Sequence, residues 1–249
     1  MLILSNKNNT GQLTLQNISN KGIFKGSVAS SGGSPGTLVT TALIAGTVNT
    51  AAQSPFSGGG NSYSLPNSST SYIYAAGQAG FAFGTGDFTI EWFQYETDTN
   101  SFPRVFWYGS SPSIGMSFEG SYYFWPTVTS LGTKGTVTNA WHHYALVRIT
   151  NVLYFYKDGT IVNSGGISNS TNVTDTASNF VFGAKPGGLT SEQFGGYMTN
   201  IRIINQLGIY TGNFTVPTSA LTAVASANPY GGSNTLAIPS GYTKLLLVP

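Results

Sequence analysis

The acidic side chains are the residues that would carry hydrolytic chemistry, and the sequence has few of them. It contains eight Asp and Glu residues, and none of them precedes Asp87. Cleavage of a glycosidic bond needs two carboxyl groups that face one cleft about 5–10 Å apart. Glu91 and Glu96 lie along one predicted strand, and their odd spacing places them on opposite faces. We therefore predict no catalytic residues and expect that the protein is not an enzyme.

A second acidic pair, Glu96 and Asp98, has the even spacing that one strand face requires. The pair lies at the end of the predicted strand, beside a polar loop. We interpret Glu96 and Asp98 as solvent-exposed residues at the end of the strand, without a catalytic role.

His142 and His143 are the only histidines, and both lie in the predicted strand Trp141–Ile149. Adjacent residues of a strand point to opposite faces, so the two imidazoles are not expected to bind one metal ion. We interpret His143 and its neighbour as hydrogen-bonded structural residues. The chain contains no Cys, which excludes disulfides, thiolate metal sites and a Cys nucleophile. The residues therefore predict no metal site.

The aromatic side chains are the remaining candidates for a binding function. Two runs, Phe106-Trp-Tyr108 and Tyr122-Tyr-Phe-Trp125, place large rings on both faces of their strands. One face should enter the core, and the other is predicted to form a sugar-stacking surface or a protein interface. The alternative is that both faces pack in the core and at the sheet edges. The candidate residues are Trp107, Tyr108, Tyr122, Tyr123 and Trp125.

Antiparallel strands must position these rings. Trp141–Ile149 and Val152–Lys157 are dense in β-branched and aromatic residues. The Asp158-Gly159 dipeptide that follows predicts a two-residue type I′ turn, which needs positive φ at both residues. Similar strand signals recur between turn residues throughout the rest of the chain. The sequence therefore predicts an all-β fold.

The charge content excludes several partners. Only 7% of the 249 residues are charged, and the net charge is +2 without clustered basic residues, so no nucleic-acid partner is predicted. No apolar run is long enough to predict a membrane span. The N-terminal decapeptide lacks the basic region of a secretory signal peptide.

Residues 1–55 differ from the rest of the chain in composition. They include one aromatic residue, Phe24, and no acid. Such a segment cannot bury a core of its own. We predict that residues 1–55 form an extended N-terminal assembly arm, which adds strands to a neighbouring chain. The competing view is that the arm packs back and completes an edge of its own sandwich.

Five motifs together resemble the laminin-G-like branch of the concanavalin A-like lectin/glucanase superfamily. The resemblance implies a two-sheet antiparallel jelly-roll sandwich over residues 56–249. Calcium is known in such relatives, and Asp98 is the candidate ligand that has another acid close by. The motifs are FGTGDFTIEW at 83–92, WHHYALVR at 141–148, LYFYKDG at 153–159, FGGYMTNIR at 194–202 and YTGNFTVP at 210–217.

The versions of the first and last motifs look most like modules of phage and environmental viral structural proteins. The resemblance thus implies a non-enzymatic structural protein on the virion surface, as capsid decoration or as a fibre-like appendage in the capsid or tail. Its expected partners are other virion proteins bound through the arm, further copies of itself and a host surface glycan. The alternative is an extracellular lectin domain or glycoside hydrolase of a secreted bacterial protein.

Overall fold

The computed structural model describes residues 36–97, 102–109, 113–137, 139–185, 188 and 192–249, and the backbone of residues 2–5 and 14–17. Within these residues nearly all of the regular secondary structure is β-strand. No described helix is long and apolar enough to cross a membrane. Besides one 3₁₀ turn at Ala79–Phe81, the elements are β1 (Leu2–Ser5), β2 (Thr14–Asn17), β3 (Leu43–Ala45), β4 (Asn49–Ala51), β5 (Ser62–Leu65), β6 (Tyr72–Ala75), β7 (Phe88–Glu96), β8 (Arg104–Tyr108), β9 (Ile114–Phe118), β10 (Ser121–Trp125), β11 (Thr129–Thr133), β12 (Trp141–Ile149), β13 (Val152–Lys157), β14 (Thr160–Ile161), β15 (Ile167–Ser168), β16 (Phe180–Phe182), β17 (Gly196–Asn205) and β18 (Thr243–Leu247).

Two antiparallel sheets pack face to face, as the predicted jelly roll requires. Among the described strands, seven form the front sheet, in the order β11-β10-β9-β8-β16-β6-β3. Nine form the back sheet, in the order β14-β13-β12-β7-β17-β5-β4, with β15 beside β13 and β18 beside β17. β1 and β2 pair with each other in a separate two-stranded sheet.

The alternation of side chains along β7 explains how the back sheet contributes to the core. Phe88, Ile90 and Trp92 belong to the core cluster between the sheets, and each is at most 1% exposed. Glu91 and Phe93 point to the opposite face of the same strand, since successive residues alternate. Burying large apolar side chains of this kind contributes roughly 1.5–3 kcal/mol each to the free energy of folding.

The hairpin between β13 and β14 is the predicted type I′ turn. Asp158 and Gly159 have φ values of 49° and 72°, and Lys157 pairs directly with Thr160. Asp158 also secures the neighbouring strand, because its Oδ1 accepts a hydrogen bond from the His143 amide at 3.0 Å.

Residues 36–55, which the sequence prediction assigned to the arm, pair with both sheets. β3 extends the front sheet beside β6, and β4 extends the back sheet beside β5. Ala42 and Val48, which flank β3, belong to the core. This part of the chain therefore follows the competing view, in which it completes the edges of its own sandwich. Residues 6–13 and 18–35 lie outside the described residues, so an assembly role for residues 1–35 stays a prediction.

A long segment, residues 206–242, covers the outer face of the back sheet, and we call it the strap. Its apolar side chains form a second buried cluster with β12, β13 and β17. Backbone contacts fasten it: the Phe214 amide donates to the Gly159 carbonyl at 2.9 Å, and Arg202 Nη1 donates to the Thr222 carbonyl at 2.7 Å. The middle of the back sheet's outer face is consequently buried, whereas Tyr95, Trp141 and Tyr197 at one end of it are half-buried.

A buried arginine holds the loop that leads into β7. Arg148 is fully buried and donates to the carbonyl oxygens of Gly84, Gly86 and Thr171 at 2.7–2.8 Å. Its guanidinium also lies over the ring of Phe88, 4.8 Å from the ring centre. One side chain thereby joins β12 to two loops at the edge of the core.

Candidate functional site

The outer face of the front sheet carries a pair of tryptophans. A bulge in β8 between Arg104 and Phe106 sets the direction of the side chains that follow it. Phe106 enters the core and Trp107 points outward. Trp125 of β10 lies beside Trp107, with the ring centres 5.7 Å apart. Trp125 is half-buried, and its Nε1 donates to Ser117 Oγ at 3.1 Å, which fixes the ring on the sheet.

Arg104 holds the two indole rings together. Its guanidinium carbon lies 4.8 Å from the centre of Trp125 and 5.9 Å from that of Trp107. Such cation–π contacts stabilise by about 0.5–2 kcal/mol, and more strongly where water is excluded. Because the Arg104 side chain is only 8% exposed, it acts as a fixed part of the surface.

Two carboxylates complete this cluster. Glu192 Oε1 accepts hydrogen bonds from Nη2 and Nε of Arg104 at 2.7 and 3.2 Å, and Glu119 Oε1 accepts one from Nη1 at 3.3 Å. Lys185 lies 3.8 Å from Glu192 and 5.2 Å from the centre of the Trp107 ring. Two cations thus face two carboxylates, and the cluster carries no net charge.

The structure separates the five predicted aromatic residues into two groups. Trp107, Tyr123 and Trp125 point to the outer face, where Tyr123 and Trp125 are half-buried and Trp107 is only 7% exposed. Tyr108 and Tyr122 are at most 1% exposed and belong to the core, so their assignment to a binding surface is corrected. The ring of Tyr108 stacks on Phe180 at 4.9 Å, and its hydroxyl donates to the Asp175 carbonyl. Burial raises the pKa of Tyr122 to about 12.

The sequence analysis missed Arg104, Glu119 and Glu192. The acids are 15 and 88 residues from Arg104 along the chain, so no local pattern connects them. The only signal in the sequence was the position of Arg104 just before the aromatic run Phe106-Trp-Tyr108, and this is a weak indication of a binding site.

Glu91, the first candidate for catalysis, lies under the strap on the outer face of the back sheet. It is fully buried and contacts Arg202 Nη2 at 2.6 Å, His143 Nε2 at 3.1 Å and the Tyr210 hydroxyl at 2.7 Å. Burial alone would raise its pKa, but the charge of Arg202 and the hydrogen bonds from His143 and Tyr210 outweigh it, and the pKa falls to about 2. This carboxylate stabilises the fold and is not reached from solvent.

Glu96 contacts a different partner, and the opposite-face prediction is confirmed. Its Oε1 lies 2.6 Å from Lys134 Nζ, on the side of β7 that faces the core, whereas Glu91 faces the strap. Asp98 lies outside the described residues. Glu91 and Glu96 do not share a cleft.

The two histidines have separate partners, as predicted. His142 Nδ1 lies 2.6 Å from Asp158 Oδ2, whereas His143 contacts Glu91 beneath the strap. Within the described part of the chain, no group of three or more His, Asp and Glu side chains has the arrangement of a metal site.

Two antiparallel sheets packed face to face define a β-sandwich of the jelly-roll class. The chain belongs to the concanavalin A-like lectin/glucanases superfamily, because a laminin G model of that superfamily matches residues 58–207, which is more than half of the chain. The resemblance to this superfamily is thereby confirmed; the matched residues include four of the five motifs, and the phage-type context stays a prediction. No curated protein sequence matches the chain.

Three solved structures are similar to the chain at low sequence identity. Domain 4 of AbnA, an extracellular arabinanase from Geobacillus stearothermophilus in complex with arabinotriose, is 18% identical, with a TM-score of 0.41 over 64% of this chain and 75% of that one. A heptameric pentraxin from Limulus polyphemus is 13% identical, with a TM-score of 0.44 over 72% and 88%. A sialidase from Trypanosoma rangeli is 12% identical, with a TM-score of 0.43 over 63% of this chain and only 27% of that one.

Proposed function

We propose that this protein is a non-enzymatic glycan-binding module whose ligand packs on the half-buried ring of Trp125, which the buried ring of Trp107 supports from the side. The observation that carries the proposal is the pair of indole rings on the outer face of the front sheet, held by Arg104. Aromatic rings offer apolar area to the C–H faces of a sugar. The oxygens of Glu119 and Glu192 next to them accept hydrogen bonds from hydroxyl groups. On the back sheet the strap buries most of the outer face and leaves one aromatic row, Tyr95, Trp141 and Tyr197, half-buried at one end.

The rival function is glycoside hydrolysis, and Glu119 with Glu192 is the carboxylate pair that would perform it. Both carboxylates accept hydrogen bonds from the same guanidinium. A hydrolase needs one of its two carboxyl groups positioned to donate a proton to the leaving oxygen, whereas Glu119 and Glu192 both face the guanidinium of Arg104. This arrangement supports binding without cleavage.

The test is a glycan-binding measurement on wild type and Trp125→Ala. We expect the binding affinity of the variant to fall by about fivefold or more, because one ring contact contributes about 1 kcal/mol. Trp141→Ala is the matched control, since Trp141 is also half-buried but lies on the back sheet. Equal binding by wild type and Trp125→Ala, with equal melting temperatures, would refute the proposed site.

We further propose, from the phage-type versions of the motifs, that the module lies on a virion surface as capsid decoration or as an appendage. Residues 1–35 would connect it to other virion proteins or to further copies. The alternative location is a secreted bacterial protein. An antibody against the module should label intact, gradient-purified particles, and recovery of the chain only as free protein in the medium would favour the alternative.

A further inference from the structure

One side of the sandwich is built from a stretch of sequence that has no charged residue. The chain from Gly36 to Gly86 contains no Asp, Glu, Lys, Arg or His, and it forms β3, β4, β5 and β6. β6 and β3 are the last two strands at one end of the front sheet, and β5 and β4 hold the same position in the back sheet. The four strands therefore form one uncharged side of the molecule, which we call the neutral edge.

The opposite side of the sandwich carries charges beside its edge strands. β11 and β14 are the edge strands there. Lys134 follows β11 directly, Lys157 ends β13, and Asp158 lies in the turn before β14. Charged side chains next to an edge strand keep it from pairing with another chain. The neutral edge lacks this protection, although in the part of the chain that the structure describes β3 pairs only with β6 and β4 only with β5.

The core of the sandwich is open at the neutral edge. Ile44 of β3 lies directly opposite Ile73 of β6, and directly opposed residues point to the same face of a sheet. Ile73 is fully buried between the sheets, so Ile44 also points inward. Ile44 is nevertheless 36% exposed, and its outward-pointing neighbour Leu43 is 45% exposed. An inward apolar side chain reaches solvent in this way only where the side of the sandwich is uncovered.

A second copy of this chain fits the neutral edge by symmetry. When two β3 strands pair antiparallel about a two-fold axis at Ile44, the two Ile44 residues lie opposite each other, and Leu43 of each copy lies opposite Ala45 of the other. The two Ile44 side chains then cover each other on the inner face. The uncharged strands meet without like-charge repulsion, whereas a charged partner would gain no ion pair here.

We propose that a second copy of this chain covers the neutral edge, in a two-fold dimer that pairs β3 with β3 and joins the two front sheets. This inference goes beyond the proposed glycan-binding function and does not depend on it. The two-fold axis of an antiparallel pair is perpendicular to the sheet, so the outer faces of both front sheets point the same way. The dimer therefore presents the Trp125 ring of both copies on one side.

Sedimentation velocity on the full chain, over a range of concentrations, tests the dimer. We expect the wild type to sediment as a dimer at about 10 µM. Leu43→Lys should weaken the dimer by at least about tenfold, because it places a like charge of each copy beside the paired strands. Val224→Lys is the matched control, since Val224 is 54% exposed but lies on the strap, and it should leave the dimer unchanged.

The absence of Cys from the chain allows a direct test of the register. Directly opposed residues of an antiparallel pair have Cα atoms about 4.5–5.5 Å apart, a distance that a disulfide spans. Ile44→Cys should therefore give a crosslinked dimer on mild oxidation, and Val224→Cys should stay uncrosslinked. Circular dichroism checks the fold of each variant, and Leu43→Lys alone decides the result if Ile44→Cys does not fold.

The outcomes divide clearly between support and refutation. A wild-type dimer that Leu43→Lys disrupts, Val224→Lys retains and Ile44→Cys crosslinks supports the proposal. A wild-type chain that stays monomeric up to about 1 mM overturns it. A dimer that Leu43→Lys leaves intact also overturns it, because the copies then associate through another surface, such as residues 1–35. Loss of the dimer in Leu43→Lys, with a folded Ile44→Cys that does not crosslink, overturns the pairing of β3 with β3.

Discussion

Replacing Gly159 with alanine tests whether the strap and the type I′ turn are coupled. Gly159 has φ of 72°, and a Cβ atom there would lie 2.2 Å from the carbonyl oxygen of Phe214. Positive φ costs an alanine roughly 1–2 kcal/mol. Because the new Cβ clashes with a backbone atom, the backbone of Phe214 must move away. Its amide then loses the 2.9 Å hydrogen bond to the Gly159 carbonyl, which contributes about 1 kcal/mol.

The displacement also disturbs aromatic packing under the strap. The Phe214 ring stacks on Tyr210, with ring centres 3.5 Å apart, and meets Tyr156 edge-on at 5.4 Å. Partial loss of these contacts adds about 1 kcal/mol. The expected destabilisation by Gly159→Ala is therefore about 3–4 kcal/mol. For a domain of this size it lowers the melting temperature by roughly 6–16 °C.

Alanine substitutions at two further glycines distinguish the free-energy cost of positive φ from the cost of lost contacts. Gly135 has φ of 65° and no atom within 4 Å of a built Cβ, so Gly135→Ala should cost only the backbone term of roughly 1–2 kcal/mol. Gly120 has neither positive φ nor a nearby atom, and Gly120→Ala should be nearly neutral. Urea unfolding followed by tryptophan fluorescence measures all three. Equal destabilisation by Gly159→Ala and Gly135→Ala would show that the strap does not press on the turn.

The remaining predictions concern charged groups. Glu91→Gln should destabilise by roughly 3–5 kcal/mol, because it leaves Arg202 buried without its partner. The pKa of Glu91 is about 2 when folded and 4.5 ordinarily, so its contribution is fully present above pH about 4.5 and declines as the pH falls towards 2. Urea midpoints should show that decline in wild type and less of it in Glu91→Gln, and parallel curves would contradict the assignment. Arg148→Met should cost about 3 kcal/mol or more, since three loop carbonyls lose their donor, and an unchanged melting temperature would count against this. Wild-type protein should release no new reducing ends from neutral polysaccharides, and turnover that disappears in Glu119→Gln or Glu192→Gln would establish hydrolysis.

The regular strands could be predicted because their signals are local. The predicted strands Trp141–Ile149 and Val152–Lys157 agree with β12 and β13 at both ends. The Asp158-Gly159 turn was also predictable, since few other dipeptides adopt positive φ at both positions. In these cases alternation and turn chemistry act over a few residues, which the sequence displays directly.

The candidate site could be predicted only in part, because its geometry depends on distant contacts. Tyr122 and Tyr123 are both large aromatic residues, and the one that enters the core is decided by the register with β9. The bulge in β8 has no marker such as Gly in the sequence. Arg104 becomes part of the site only through Glu119 and Glu192, which approach from other parts of the fold. Likewise, Glu91 is buried by Tyr210, 119 residues further along the chain.

The strap has a consequence for the order in which this chain folds during synthesis. Residues 206–242 and β18 leave the ribosome after every other strand of the back sheet, yet they bury Ala145, Val147 and Tyr156. Val39 also pairs with Leu245, so the first and last parts of the sandwich meet only at that stage. At a synthesis rate of about 5–20 residues per second, the nascent sheet would expose an apolar face for several seconds. A half-made chain of this kind is a natural client for a chaperone, and charge-poor edges such as β3 add to its risk of aggregation.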